Sequence, residues 1–178
     1  MIGRLQTTPA ADRTDLLAAP VTAALAAGSL PGAEVAPIDP QYADTAQLCD
    51  AYDVPMEVSA NCVVVTGRRG DRTSHAACVV LAHTRVDVNG LVRRHLDARK
   101  ASFASTDFAT DATGMEYGGI TPVGLPADWF LLLDARVVET PLVVIGSGLR
   151  GSKIVVAGKT LAGLPGAEVL DGLALAGS

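Results

Sequence analysis

Apolar residues along this chain fall into blocks of two kinds. Residues 60–66 and 75–81 are short runs rich in valine and alanine, the pattern of strands, with Gly67, Arg68, Arg69, Gly70 and Asp71 between them as a hairpin connection. In the first run Asn61, Val63 and Val65 project to one face and Ala60, Cys62 and Val64 to the other. That alternation places Asn61 either among core-directed side chains or on the floor of a cleft. Residues 130–133, 142–145 and 154–156 are further apolar strand candidates, and residues 33–38 and 101–104 are shorter ones. Helical spacing appears elsewhere. Pro20 suits a first helical turn and Gly28 the position past its end, so residues 20–27 read as a helix with Val21, Ala24 and Leu25 on one face. Asp44 and Gln47 have the spacing of a capping box before a helix with Leu48, Ala51 and Tyr52 inward. Asp87 caps a helix at residues 88–96, Thr106 opens one closed by Gly114, and residues 159–164 make a last turn or two. The six residues from Leu30 to Val35 recur from Leu164 to Val169, each copy marking a helix end followed by a strand. No linker divides the chain. These elements predict an α+β fold: one domain over residues 1–178, with a mixed, mostly antiparallel central sheet flanked by helices, and residues 1–56 adding helices and a strand to it.

Composition narrows the picture. With 49% apolar residues but only 4% aromatic ones, 178 residues suffice for one core built from small side chains. A net charge of −5 argues against a surface that attracts nucleic acid everywhere. Such contact needs a local patch, and Arg93, Arg94, His95, Arg99 and Lys100, or Arg68, Arg69 and Arg72, are the runs that could form one. Cys49, Cys62 and Cys78 are odd in number and lack metal spacing, which fits free thiols in a reducing, cytoplasmic setting. His75, His83 and His95 also lack ligand spacing, so neither a metal nor another cofactor is expected. Cys62 across a hairpin from His75 is a weak thiol-hydrolase signal without a flanking signature. Residues 16–33 are uncharged but interrupted by Pro20, Gly28 and Pro31, and the start lacks the apolar core of a signal peptide; no membrane span or leader is expected.

The chemistry concentrates in two glycine-rich stretches. From Thr113 to Gly124 there are four glycines and one proline, a loop whose amides can converge on one carbonyl or phosphate oxygen. The plain alternative is an ordinary turn. From Gly146 to Gly151 a second stretch follows an apolar strand; it does not have dinucleotide-fingerprint spacing, but Ser147 can bond a ribose hydroxyl and Arg150 a phosphate.

Gly118-Gly119-Ile120-Thr121-Pro122-Val123-Gly124, with Leu133-Asp134-Ala135 and the stretch from Val144 to Gly151, resembles the YbaK-type aminoacyl-tRNA deacylases, freestanding relatives of the prolyl-tRNA synthetase editing domain. The likeness runs from about Val58 onward. It implies a hydrolase that removes a wrong small amino acid, of the cysteine or alanine type, from mischarged tRNA(Pro) by ester hydrolysis. The partners it implies are the aminoacylated 3′ end and prolyl-tRNA synthetase. By the same resemblance Gly118, the first glycine of a GxxxP loop, lies at the reacting ester without a protein nucleophile. Gly119, Thr121, Pro122, Gly146, Ser147, Arg150 and Lys100 are implied to bind substrate. Two positions depart from the family. Asn61 stands where relatives usually carry lysine, and Lys153 where they commonly carry an acid. The expectation is a swap in which Lys153, from the neighbouring strand, returns the charge missing at Asn61. The alternatives are a binding module that keeps the cleft without hydrolysis, and a pocket for a free nucleotide or amino-acid derivative.

Overall fold

Gly70 turns the chain back on itself in left-handed backbone, φ 58°, and the valine-rich residues on either side pair along ten rungs from Ala60↔Leu81 to Arg69↔Arg72. The strands therefore run further into the arginine-rich connection than residue type alone suggests. The computed structural model describes residues 1–177. Its strands are β1 (Thr8–Pro9), β2 (Glu34–Pro37), β3 (Ala60–Arg69), β4 (Arg72–Leu81), β5 (Thr84–Val86), β6 (Lys100–Phe103), β7 (Phe130–Asp134), β8 (Val143–Gly146), β9 (Ser152–Val156), β10 (Ala167–Leu170) and β11 (Ala174–Ala176). Its helices are α1 (Ala19–Ala26), α2 (Thr45–Tyr52), α3 (Arg93–His95), α4 (Thr106–Thr113), α5 (Ala135–Glu139) and α6 (Gly158–Leu161).

The fold is α+β, as expected, and its strands divide between two main sheets. One has the order β10-β7-β4-β3-β6, with parallel pairing of β10 to β7 and β7 to β4 and antiparallel pairing elsewhere. The other, β1-β2-β9-β8, is antiparallel throughout. A parallel bridge between Ser59 and Val144 stitches the two at one seam, and β11 and β5 form a separate ribbon. Strand β4 is central and buried on both faces, which explains its unbroken apolar run. Val79 and Leu81 meet Leu133, Ile145, Ile154 and Val21 of α1 in one core cluster. Cys78 and Val80 meet Leu132, Val92 and Leu96 in another. The early residues Leu5, Ala36 and Leu48 close a third against Val144 and Val155.

Local chemistry explains where expectation and structure part. Asp87 caps its helix as anticipated, its carboxylate accepting from the Gly90 and Leu91 amides at 3.0 and 2.8 Å. The backbone there is wider than an α-helix over Val88–Val92, because Gly90 has no side chain to exclude that carboxylate. The capping box does not form: Asp44 occupies the cap position of α2 without a side-chain cap bond. Ser105, not Thr106, caps α4, accepting from the Phe108 amide at 3.2 Å. The repeated hexapeptide makes the same turn twice, with Gly32 and Gly166 at φ 75° and 74° and the strands β2 and β10 following. Buried Asp134 was not read as a structural hub. It caps α5 through the Arg136 amide, pairs with the Arg136 guanidinium and accepts from the Ala174 amide that starts β11.

Thr121 is fully buried, and among the described residues its hydroxyl has no hydrogen-bond partner. Thr121→Val keeps the shape and removes the unpaired group, so the variant is expected to gain about 1 kcal/mol in chemical denaturation. An equal or larger loss contradicts this.

Candidate active site

The seam between the sheets does not close completely. A cleft of about 440 Å³ opens between β3 on one side and β8 and β9 on the other, with the start of α2 and the glycine loop as its end walls. Asn61, Gly118, Gly146 and Lys153 all line it. The rest of its wall is mostly small and apolar, including Cys62, Val64, Ile120 and Ile145, with the exposed rings of Phe103 and Tyr117 at the lip.

Lys153 dominates the electrostatics. Its side chain is 6% exposed, and Nζ donates to the carbonyls of Ala43 at 3.1 Å and Gly118 at 3.2 Å. Among the described residues no carboxylate lies within ion-pair distance of it. An ammonium has three N–H donors, so one remains for a ligand in the cleft. Burial, reinforced by nearby Arg150, lowers the Lys153 pKa to about 8, against the pull of Asp44. Lys153 does not come from the strand beside Asn61: β3 and β9 belong to different sheets, and β8 lies at the seam between them. The idea of a neighbouring-strand swap is corrected accordingly; the charge enters from the opposite wall.

Asn61 accepts from the Thr45 hydroxyl at 2.6 Å, which fixes its amide across the cleft. Asp44 beside Thr45 is the one carboxylate among the lining residues, and because it makes no cap bond its oxygens are uncommitted. Residue type and spacing pointed to neither Asp44 nor Thr45 as site residues. The capping-box reading assigned Asp44 to the helix, and only its broken cap could have exposed it.

Backbone contact, not side-chain chemistry, accounts for most glycines here. A Cβ on Gly119 would lie 2.7 Å from the Leu149 backbone, and one on Gly146 would lie 2.5 Å from the Gly119 carbonyl oxygen. The two glycine-rich loops are thus pressed together, with the Gly148 amide donating to Gly119 at 2.7 Å and the Glu116 amide to Gly148 at 2.8 Å. Gly118 stands at the cleft end of this contact at φ 80°. Its carbonyl is tied to Lys153, and its amide has no acceptor among the described residues.

The remaining sequence candidates lie outside the cleft lining. Ser147 is buried and committed to the Ser152 hydroxyl at 2.6 Å. Arg150 clamps the loop from outside, its guanidinium donating to Tyr117 and Pro40 carbonyls at 3.0 Å each and lying 5.4 Å from the Tyr117 ring centre. Gly119 and Thr121 are buried behind the cleft wall, and Pro122 faces a separate apolar depression with Trp129. Lys100 lies on a different surface, described below. The Cys62–His75 pairing does not occur. Cys62 registers with Val79, whereas His75 registers with Thr66, four rungs or about 14 Å along the hairpin. His75 instead packs against Phe108 at 4.5 Å and Trp129 at 5.6 Å. Burial and the neighbouring Cys78 push the Cys62 thiol far above its ordinary range, so it is a poor nucleophile.

Comparison with known proteins agrees with this architecture. Residues 39–164 match the model of the aminoacyl-tRNA editing domain. The chain belongs to that family, and its activity class is aminoacyl-tRNA editing by deacylation. A crystal structure of a candidate trans-editing enzyme for prolyl tRNA synthetase superposes with a TM-score of 0.72 at 21% identity, covering 92% of this chain and 96% of that one. A scaffold protein used for epitope backbone grafting gives a TM-score of 0.73 at 22% identity, covering 86% and 95%. A hypothetical protein gives 0.68 at 18%, covering 79% and 90%. Likeness at these identities establishes the shared fold.

Proposed function

We propose that the cleft receives the 3′-terminal aminoacyl-adenosine of mischarged tRNA(Pro) and hydrolyses the ester of a small amino acid, of the cysteine or alanine type. One observation carries this reading: a buried ammonium, without a carboxylate partner, keeps a free donor in a cleft otherwise walled by small apolar groups. Water adds to the ester carbonyl carbon, and the carbon–oxygen bond to the ribose breaks. The ribose oxygen leaves as a hydroxyl, the amino acid leaves as a carboxylate, and one proton is released. Charge on the carbonyl oxygen in the transition state faces the third Lys153 N–H and the Gly118 amide, a preorganised arrangement of the kind that stabilises oxyanions. No protein nucleophile is required; the attacking water is held against the substrate's own ribose hydroxyl. Asp44 seats the α-ammonium of the amino acid, and the wall of Cys62, Val64, Ile120 and Ile145 admits a short side chain. A fold over residues 1–178 acting as one domain in the cytoplasm, with prolyl-tRNA synthetase as an associated enzyme, belongs to the same reading.

Asn61 favours a second reading. It brings no charge, and its carbonyl oxygen is taken by Thr45, so a cleft that binds the aminoacylated end without turnover is the alternative. Incubating the protein with alanyl-, cysteinyl- and prolyl-tRNA(Pro) and following ester loss separates them. Faster loss from the alanyl or cysteinyl form supports hydrolysis; binding of all three without loss supports the module. Asp44→Asn is expected to raise KM by about tenfold, in line with a lost charge-assisted contact of roughly 1.5 kcal/mol, with little change in kcat. An unaltered KM removes Asp44 from the ammonium site.

A further inference from the structure

The basic residues that look equivalent in the sequence are sorted by the fold into two groups. Asp97, in left-handed backbone at φ 49°, gathers Arg69 and Arg72 into ion pairs of 2.9 and 3.1 Å. Arg68, Arg93, Arg99 and Lys100 are left unpaired by any carboxylate among the described residues. These four converge on a groove of about 590 Å³ whose lining contains no acidic residue, in a chain of net charge −5. The Arg99 amide donates to the Arg68 carbonyl at 2.8 Å, and Lys100 registers with Arg68 across β6 and β3, so backbone pairing holds three of the four cations side by side.

The groove also leads to the cleft. Strand β6 is the open edge of its sheet, and its first residues, Lys100, Ala101 and Ser102, line the groove. The next two residues, Phe103 and Ala104, line the cleft. The path from cation to cleft mouth is three residues of extended chain, about 10 Å. At the junction Phe103 is 62% exposed, a flat apolar face of the kind on which unpaired bases stack.

We propose that this groove binds the phosphodiester backbone of the RNA whose 3′ end occupies the cleft, so that β6 is the track from acceptor stem to reacting ester. The inference builds on the proposed function for its choice of RNA. Phosphate contacts of this kind position a nucleic acid without reading its sequence and make affinity depend on salt. The groove thereby supplies in one place the attraction that an acidic chain lacks overall.

The test uses an uncharged, fluorescently labelled acceptor-stem minihelix ending in CCA, so that no hydrolysis is needed. Its affinity is measured by anisotropy across a salt series for the full chain and for the Arg68→Ala/Arg93→Ala/Arg99→Ala/Lys100→Ala variant. Affinity is expected to fall at least about tenfold at low salt, and the log–log salt slope to drop by about one per cation removed. Arg69→Ala/Arg72→Ala, whose cations are held by Asp97, is expected to keep the parental slope. Should the quadruple variant fail a thermal-unfolding check, Arg93→Glu and Lys100→Glu carry the same expectation singly. Unchanged affinity and slope, an equal fall in the Arg69/Arg72 variant, or displacement by polyglutamate as effective as by RNA would each overturn the groove assignment. Absence of deacylation with an intact salt slope defeats the hydrolase reading and leaves the groove standing.

Discussion

Gly118→Val lowers deacylation of mischarged tRNA by at least about a hundredfold, the scale of losing one oxyanion donor, while the protein remains folded. A Cβ at this position would lie 2.6 Å from Arg150 Nη1 and 3.2 Å from the Ala43 side chain. Arg150 is long and can yield. Ala43, whose carbonyl accepts from Lys153, is held in place. The backbone angle of 80° adds strain of about 1–3 kcal/mol for a β-branched residue. Relief of that strain turns the Gly118 amide away from the ester and loosens the carbonyl that Lys153 grips. Single-turnover rates and a thermal melt on the same preparation check both halves of the statement. A folded, fully active variant contradicts the role given to the loop.

Lys153→Met removes the charge at nearly constant volume and is expected to cost about 10²–10³-fold in kcat. The wild-type protein should show the matching pH dependence. With a free-enzyme pKa of about 8, the cationic form is lost as pH rises through that value, so kcat/KM, corrected for spontaneous ester loss, falls on the alkaline side. Stability runs the other way. Between about 8 in the folded protein and 10.5 in the unfolded chain, the unfolded state binds the proton that the folded state has released. Unfolding free energy therefore rises with pH in that window, by about 1.4 kcal/mol per unit from this group. The thiols oppose it: burial raises Cys49, Cys62 and Cys78 above 9.0, so the unfolded state loses those protons first and stability falls above that pH. The interval from pH 8 to 9, or the difference between wild type and Lys153→Met, isolates the lysine. A flat difference means that Lys153 is not held as an uncompensated buried cation.

Much of the fold was legible because its central strands are buried on both faces and are therefore written as unbroken apolar runs. Strands β3, β4, β7 and β9 and helices α1 and α2 lie where the spacing placed them, within a few residues. The ribbon β5–β11 and strand β10 were not legible, since their residues alternate weakly and are partly exposed. They form because Asp134 and parallel pairing with β7 draw them in, long-range effects with no local signature. The site divides along the same line. Glycine spacing located the loop, and the two departures at Asn61 and Lys153 turned out to face one cleft. Donor chemistry alone could not tell that Ser147 and Arg150 spend their hydrogen bonds inside the protein, or that Asp44 withholds its own from α2. Whether a polar group is free is decided by packing, not by residue type.

The most direct measurement is a structure of the protein with a non-hydrolysable 3′-amide analogue of alanyl-adenosine. The account predicts the carbonyl oxygen within hydrogen-bond reach of Lys153 Nζ and the Gly118 amide, the methyl group against Cys62 and Ile145, and the α-ammonium at Asp44. An analogue bound in the depression beside Pro122 and Trp129, or one lying in the cleft with its carbonyl turned away from Lys153, contradicts it.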